Sequence, residues 1–194
     1  MQKNFLNQLL RSPGTVFSFK ELLLRFKGEE KSGLKAKLNY YIKRGELYHI
    51  RKGLYAKDAH YNHFELATKI FVPAYISFET VLRQAGIIFQ YSSYIYVASY
   101  QSREVICDGT TYIFRKLKSF ILTNADGIEL LPTYSIASPE RAFLDIVYLH
   151  KQYYFDNLEP LNWDKVYTLL PIYGENKSMK LRVESYHKAF KEGL

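Results

Sequence analysis

Along the first third of the chain, apolar residues recur at helical spacing in successive short runs, each closed by a turn signal. In Gln2–Arg11, Leu6, Leu9 and Leu10 fall at i, i+3 and i+4, which predicts one short amphipathic helix. Ser12-Pro13-Gly14 stops it, Thr15-Val16-Phe17 reads as a short extended run, and Ser18 is placed to cap a second helix through about Phe26. Gly28-Glu29-Glu30-Lys31 forms a turn. Ser32 is read as the cap of a third helix over Gly33–Arg44, with Gly45 just past its end, where a left-handed residue closes a helix. Leu34, Leu38, Tyr41 and Ile42 define the buried face of that helix. Glu46–Ile50 and Leu54–Lys57 read as short strands joined by Arg51-Lys52-Gly53, a tight hairpin.

After Lys57 the pattern changes. Asp58–Asn62 is a polar linker, and His63–Ile70 and Ser77–Gly86 read as helices flanking Pro73. Tyr94–Tyr100 alternates as a strand, with Tyr94, Tyr96, Ala98 and Tyr100 on one face and Ile95, Val97 and Ser99 on the other. The tyrosine face suits either a binding surface, where Tyr is enriched, or core packing under the C-terminal helices. Arg103–Cys107 and Thr111–Lys116 flank Asp108-Gly109, a type I′ hairpin signal. Ile128–Leu131 and Thr133–Ile136 read as shorter strands around Pro132. Ser138-Pro139-Glu140-Arg141 opens a helix with Ser as cap and Pro at the first helical position, and Phe143, Leu144, Val147 and Tyr148 supply its apolar stripe. Helices around Trp163–Leu170 and Ser178–Glu192 end the chain. The expected fold class is α+β, with two domains: residues 1–57, and a mixed α/β domain over residues 58–194.

Charge sharpens this division. The net charge is +8, but residues 1–57 hold 13 Lys/Arg against four acids, or +9, and the remaining 137 residues sum to −1. Excess positive charge confined to one short domain points to a polyanionic partner. Helix, small strand, helix, turn, helix and basic hairpin is the order of a winged helix-turn-helix, and double-stranded DNA is its expected partner. The face of the third helix opposite its leucines carries Ala36, Asn39, Tyr40 and Lys43, with Lys35, Lys37 and Arg44 on the shoulders. Small Ala36 permits close approach, Asn39 can pair with an adenine edge, and the lysines can meet phosphate or guanine. Backbone N–H groups at Ser32 and Gly33 are expected to face a phosphate oxygen, and Arg51 and Lys52 to occupy the hairpin tip.

Other chemistry is excluded or bland. No GxGxxG, Walker A, GxSxG or CxxC pattern occurs. His60 and His63, near Asp58 and Glu65, read as solvated linker residues and no metal or other cofactor is expected. The single cysteine, Cys107, rules out an intramolecular disulfide and reads as a small core residue. Arg141 and Asp145 stand four apart, so an intrahelical ion pair accounts for both. The N-terminal segment lacks a secretory apolar core, and no run of about 18 apolar residues is present, so a cytoplasmic protein with no membrane partner is expected.

Three segments resemble the abortive-infection E (AbiEi-like) antitoxin and regulator family. They are Leu47-Tyr48-His49-Ile50-Arg51-Lys52-Gly53-Leu54-Tyr55-Ala56, similar to that family's wing, then Tyr75-Ile76-Ser77-Phe78-Glu79-Thr80-Val81-Leu82 with Gly86-Ile87, and Ile136-Ala137-Ser138-Pro139-Glu140-Arg141-Ala142-Phe143-Leu144-Asp145. They occur in the family's order and span most of residues 1–150. The resemblance implies a non-enzymatic antitoxin of a type IV toxin–antitoxin system that represses its own operon by binding operator repeats. Its implied functional partner is a nucleotidyltransferase-like toxin, countered without a tight complex. The other reading of the sequence is an enzyme or accessory defence factor that its winged helix only targets to DNA.

Overall fold

A computed structural model of the chain describes residues 2–192, with side chains from Phe5 onward, so Lys3 of the basic count lies outside the described side chains. It is an α+β protein with two sheets. Two compact units divide the chain. The first runs to Ile70 and includes Pro132–Tyr134; the second comprises Phe71–Leu131 and the chain from Ser135. The composition step at Lys57 therefore precedes the end of the first unit by a full helix.

In the first unit, α1 (Gln2–Leu10), β1 (Val16–Ser18), α2 (Phe19–Arg25) and α3 (Lys31–Lys43) are followed by β2 (Tyr48–Arg51), β3 (Leu54–Ala56) and α4 (His63–Ile70). Phe5, Leu9, Phe17, Leu22, Leu34, Leu38, Tyr41 and Leu47 form its core. The inward face of α1 is turned from that expected: Phe5 and Leu9 are buried, while Leu10 is exposed. Phe5 governs this, because its ring meets Phe26 and Tyr41 at centroid distances of 4.5 and 5.8 Å, and a buried ring outweighs a third leucine. Ser18 caps α2 as expected, in a reciprocal capping box with Glu21. The three strands form one antiparallel sheet in the order β1-β3-β2, with Val16 opposite Ala56 and Ser18 opposite Leu54.

Helix α4 belongs to this unit through a buried carboxylate. Glu65 is fully buried and accepts from the Thr15 N–H at 2.7 Å and the Thr15 hydroxyl at 2.8 Å. Lys69 Nζ neutralises it at 3.0 Å and donates to the Val16 carbonyl at 2.6 Å. The sequence places Glu65 only near the linker histidines and shows no sign of this burial. Charge plus two donors lets the group leave water.

The second unit contains β4 (Ala74–Ile76), α5 (Phe78–Gln84), β5 (Ile95–Ser99), β6 (Arg103–Cys107), β7 (Thr110–Lys116), α6 (Ser119–Leu122), β8 (Ile128–Leu130), β9 (Ser135–Ala137), α7 (Pro139–Leu149), α8 (Trp163–Leu169) and α9 (Lys177–Lys191). Its mixed sheet has the order β6-β7-β5-β4-β9-β8. The β6–β7 turn has the backbone expected of it, with Asp108 and Gly109 at φ +48° and +75°. Ser138 caps α7 and Pro139 opens it. Helix α7 packs against α5, α8 and α9.

The pair Arg141 and Asp145 is more than a local ion pair. Both side chains are 0% exposed, and their direct contact is a long 3.6 Å. Asp145 instead accepts from the Ser77 hydroxyl at 2.7 Å, Tyr173 at 2.7 Å and Tyr75 at 3.0 Å. Arg141 donates to the carbonyls of Ile121 and Asp126 at 2.7 and 3.0 Å. Burial pushes the Asp145 carboxyl up, outweighing the pull of Arg141 and the three hydroxyls. The network ties β4, α6, α7 and the turn after α8 into one core.

Candidate nucleic-acid interface

Helix α3 carries most of the candidate residues. Leu34, Leu38 and Tyr41 face the core, which forces the intervening positions outward at 100° per residue. Lys35, Ala36, Asn39, Tyr40, Lys43 and Arg44 are all exposed. Gly45, at φ +70°, ends the helix: its N–H donates to the Ile42 carbonyl at 3.0 Å and that of Glu46 to Tyr41 at 2.9 Å. That is a Schellman closure, and it turns the chain directly into the hairpin.

The start of α3 differs from the expectation. The N-cap is Glu30, without a side-chain cap bond, and Ser32 lies inside the first turn with its hydroxyl 3.4 Å from Glu30 Oε2. The helix begins two residues earlier than expected, and Glu29 and Glu30 border its first turn. Their negative charge opposes a phosphate at the Ser32 and Gly33 amides. Lys31, passed over in the sequence, gains importance, because it is an exposed cation in that turn.

The basic side chains separate into two groups. Lys37 is half-buried and paired with Glu29, and Arg44 donates through Nε to Glu46 Oε1 at 2.6 Å and through Nη1 to the Tyr40 hydroxyl at 3.1 Å. Among the described residues no carboxylate pairs with Lys31, Lys35, Lys43 or Lys52. All four are exposed.

The hairpin is shorter at its tip than expected. Arg51 belongs to β2, where the pairing with β3 shifts between His49 and Arg51, and only Lys52 and Gly53 make the turn. Arg51 is half-buried and its Nη1 has no hydrogen-bond partner among the described residues. The Gly53 carbonyl accepts from the Phe19 N–H at 2.8 Å, and Lys35 Nζ stands 5.9 Å from the Phe19 ring. The first turn of α2 therefore brings the hairpin tip and the N-terminal half of α3 to one surface. Sequence periodicity did not show that juxtaposition, because it depends on β1 pairing with β3.

This surface presents cations, one amide side chain and an aromatic hydroxyl on a rigid helix. Among the described residues no three His, Cys, Asp or Glu side chains could hold a metal ion, and no helix is long and apolar enough to cross a membrane. Searches against protein-family models and curated proteins find no match to this chain.

Proposed function

We propose that the protein is a DNA-binding transcriptional autorepressor whose first unit is a winged helix-turn-helix, with α3 as the recognition helix and the β2–β3 hairpin as the wing. The observation that carries this reading is the exposed face of α3. There Lys35 and Lys43, free of carboxylates, flank Asn39 and Ala36, while two neighbouring acids, Glu29 and Glu46, pair with Lys37 and Arg44. A helix of this kind fits the major groove, with lysines positioning on phosphate and Asn39 reading an adenine edge. The resemblance in the wing and in the segments around Ser77 and Ser138 extends the proposal to the antitoxin of a type IV toxin–antitoxin system. The second unit would then counter a nucleotidyltransferase-like toxin without catalysing a reaction itself.

Asn39→Ala tests the reading directly. Affinity for the protein's own promoter should fall by about 1–3 kcal/mol, while affinity for unrelated duplex changes little. Gel-shift titrations on both duplexes give the ratio. Equal loss on both would remove Asn39 as a reader of sequence. Co-expression with the neighbouring gene tests the antitoxin role, which fails if the full chain does not restore growth.

A further inference from the structure

The second unit holds a cleft of about 440 Å³, lined by Glu79, Arg83, Tyr91, Tyr94, Tyr96 and Tyr153 among others. The tyrosine face of β5 opens onto it. Of the two roles the alternation allowed, core packing is excluded for Tyr94 and Tyr100, which are 45% and 47% exposed. Ile95, Val97 and Ser99 take the buried face, and Ala98 on the tyrosine face is buried as well.

The charges in this cleft are unequal. Glu79 Oε1 is paired with Arg115 Nη2 at 2.7 Å, and the Arg115 guanidinium lies 4.6 Å from the Tyr96 ring centroid. That acid is therefore paired through Oε1, while its Oε2 is buried with no hydrogen-bond partner among the described residues. Arg83 is different: among the described residues its one hydrogen bond goes to the Tyr94 carbonyl, at 3.0 Å, its guanidinium lies 5.9 Å from the Tyr96 ring centroid, and no carboxylate pairs with it. A guanidinium with donors to spare thus stands beside Tyr94 and Tyr96, whose rings are 6.5 Å apart. Tyr91, 89% exposed, offers a ring face at the mouth. The far wall is fixed, because the Tyr186 hydroxyl accepts from the Tyr153 N–H at 3.1 Å and donates to its carbonyl at 2.7 Å. Glu79 is set by its neighbour Phe78, which is wholly buried at φ +56°, a conformation that persists only where packing imposes it.

We propose that this cleft binds a nucleoside phosphate, with the base stacked on Tyr91 and Tyr94 and the phosphate held by Arg83. Aromatic faces give sequence-tolerant stacking, and an uncompensated guanidinium selects a phosphate oxygen. The volume lies within the range of small-ligand sites. The ligand is either a free nucleotide or a nucleotide of an unpaired strand, since the two share this chemistry.

The experiment uses the full chain carrying Lys31→Ala, Lys35→Ala, Lys43→Ala and Lys52→Ala, which removes the unpaired lysines of the first unit's surface and lowers its contribution. Calorimetric titrations are made with AMP, GMP, inorganic phosphate and a five-nucleotide single-stranded RNA. Saturable binding of a mononucleotide, much tighter than that of phosphate, supports the proposal. Equal affinity for the oligonucleotide identifies the free nucleotide as the ligand, and tighter oligonucleotide binding identifies the strand. Arg83→Gln should weaken binding about tenfold, and Tyr91→Ala about fivefold or more. Tyr91 packs against too little to alter folding, so its effect reads the site alone. Absence of nucleotide or oligonucleotide binding at millimolar concentration, or unchanged affinity in both variants, overturns the proposal.

Discussion

Asp145→Ala should cost the second unit about 3–5 kcal/mol, the penalty of leaving one member of a buried ion pair unmatched. Arg141 would remain buried with only carbonyl oxygens and the Tyr75 hydroxyl as partners, and the hydroxyls of Tyr75, Ser77 and Tyr173 would lose the acceptor they share. Typical domain stability is about 5–15 kcal/mol, so the variant should stand near its unfolding transition at room temperature. Trp163, the only tryptophan, lies on α8 and reports this unit in urea denaturation. The double variant Arg141→Met with Asp145→Leu should recover much of the loss, since removing both charges also removes their desolvation. A shift below about 1 kcal/mol in Asp145→Ala would show that the network contributes nothing beyond packing.

Lys35→Ala, Lys43→Ala and Lys52→Ala together should weaken binding to the protein's own promoter about a hundredfold at 0.15 M salt. Each lost phosphate contact lowers the magnitude of the slope of log K against log salt by about 0.9, or about 2.7 for three. Lys37→Ala is the internal control. Its ammonium is held by Glu29, so it should displace fewer counterions and change the slope least. A triple variant with the slope of the unaltered protein would eliminate this surface as the interface. An effect of Lys37→Ala as large as that of Lys35→Ala would mean that the ion pair opens on binding.

The third helix was legible in the sequence because four apolar positions, Leu34, Leu38, Tyr41 and Ile42, and a terminal glycine agree on it, and its exposed face follows from the buried one. Its first turn was not. Ser is a better cap than Glu, but at a solvated helix end water satisfies the free amides, and the chain enters the helix two residues sooner. Strand β4 was invisible, being three residues between Pro73 and Ser77, although it lies between β5 and β9 in the sheet. The polar network around Asp145 was hidden for a related reason. At helical spacing an Arg and an Asp look the same on a surface as in a core, and the hydroxyls of Tyr75, Ser77 and Tyr173 converge only after folding. Paired and unpaired cations likewise differ through Glu29, which holds Lys37, and Glu46, which holds Arg44; periodicity does not give the directions of those side chains.

The buried carboxylate of Glu65 also bears on how sequences related to this one should vary. A Cβ at Gly14 would stand 2.8 Å from Glu65 Oε1, within hard contact of an atom that Lys69 holds in place. No positive φ requires glycine there; the space does. Positions 14, 15, 65 and 69 should therefore change together, although 50 residues of chain separate Thr15 from Glu65. In a relative that carries a shorter or neutral side chain at 65, position 14 is free to become alanine or serine, and position 69 no longer needs a cation. Correlated change across these four columns is the trace this contact should leave in an alignment.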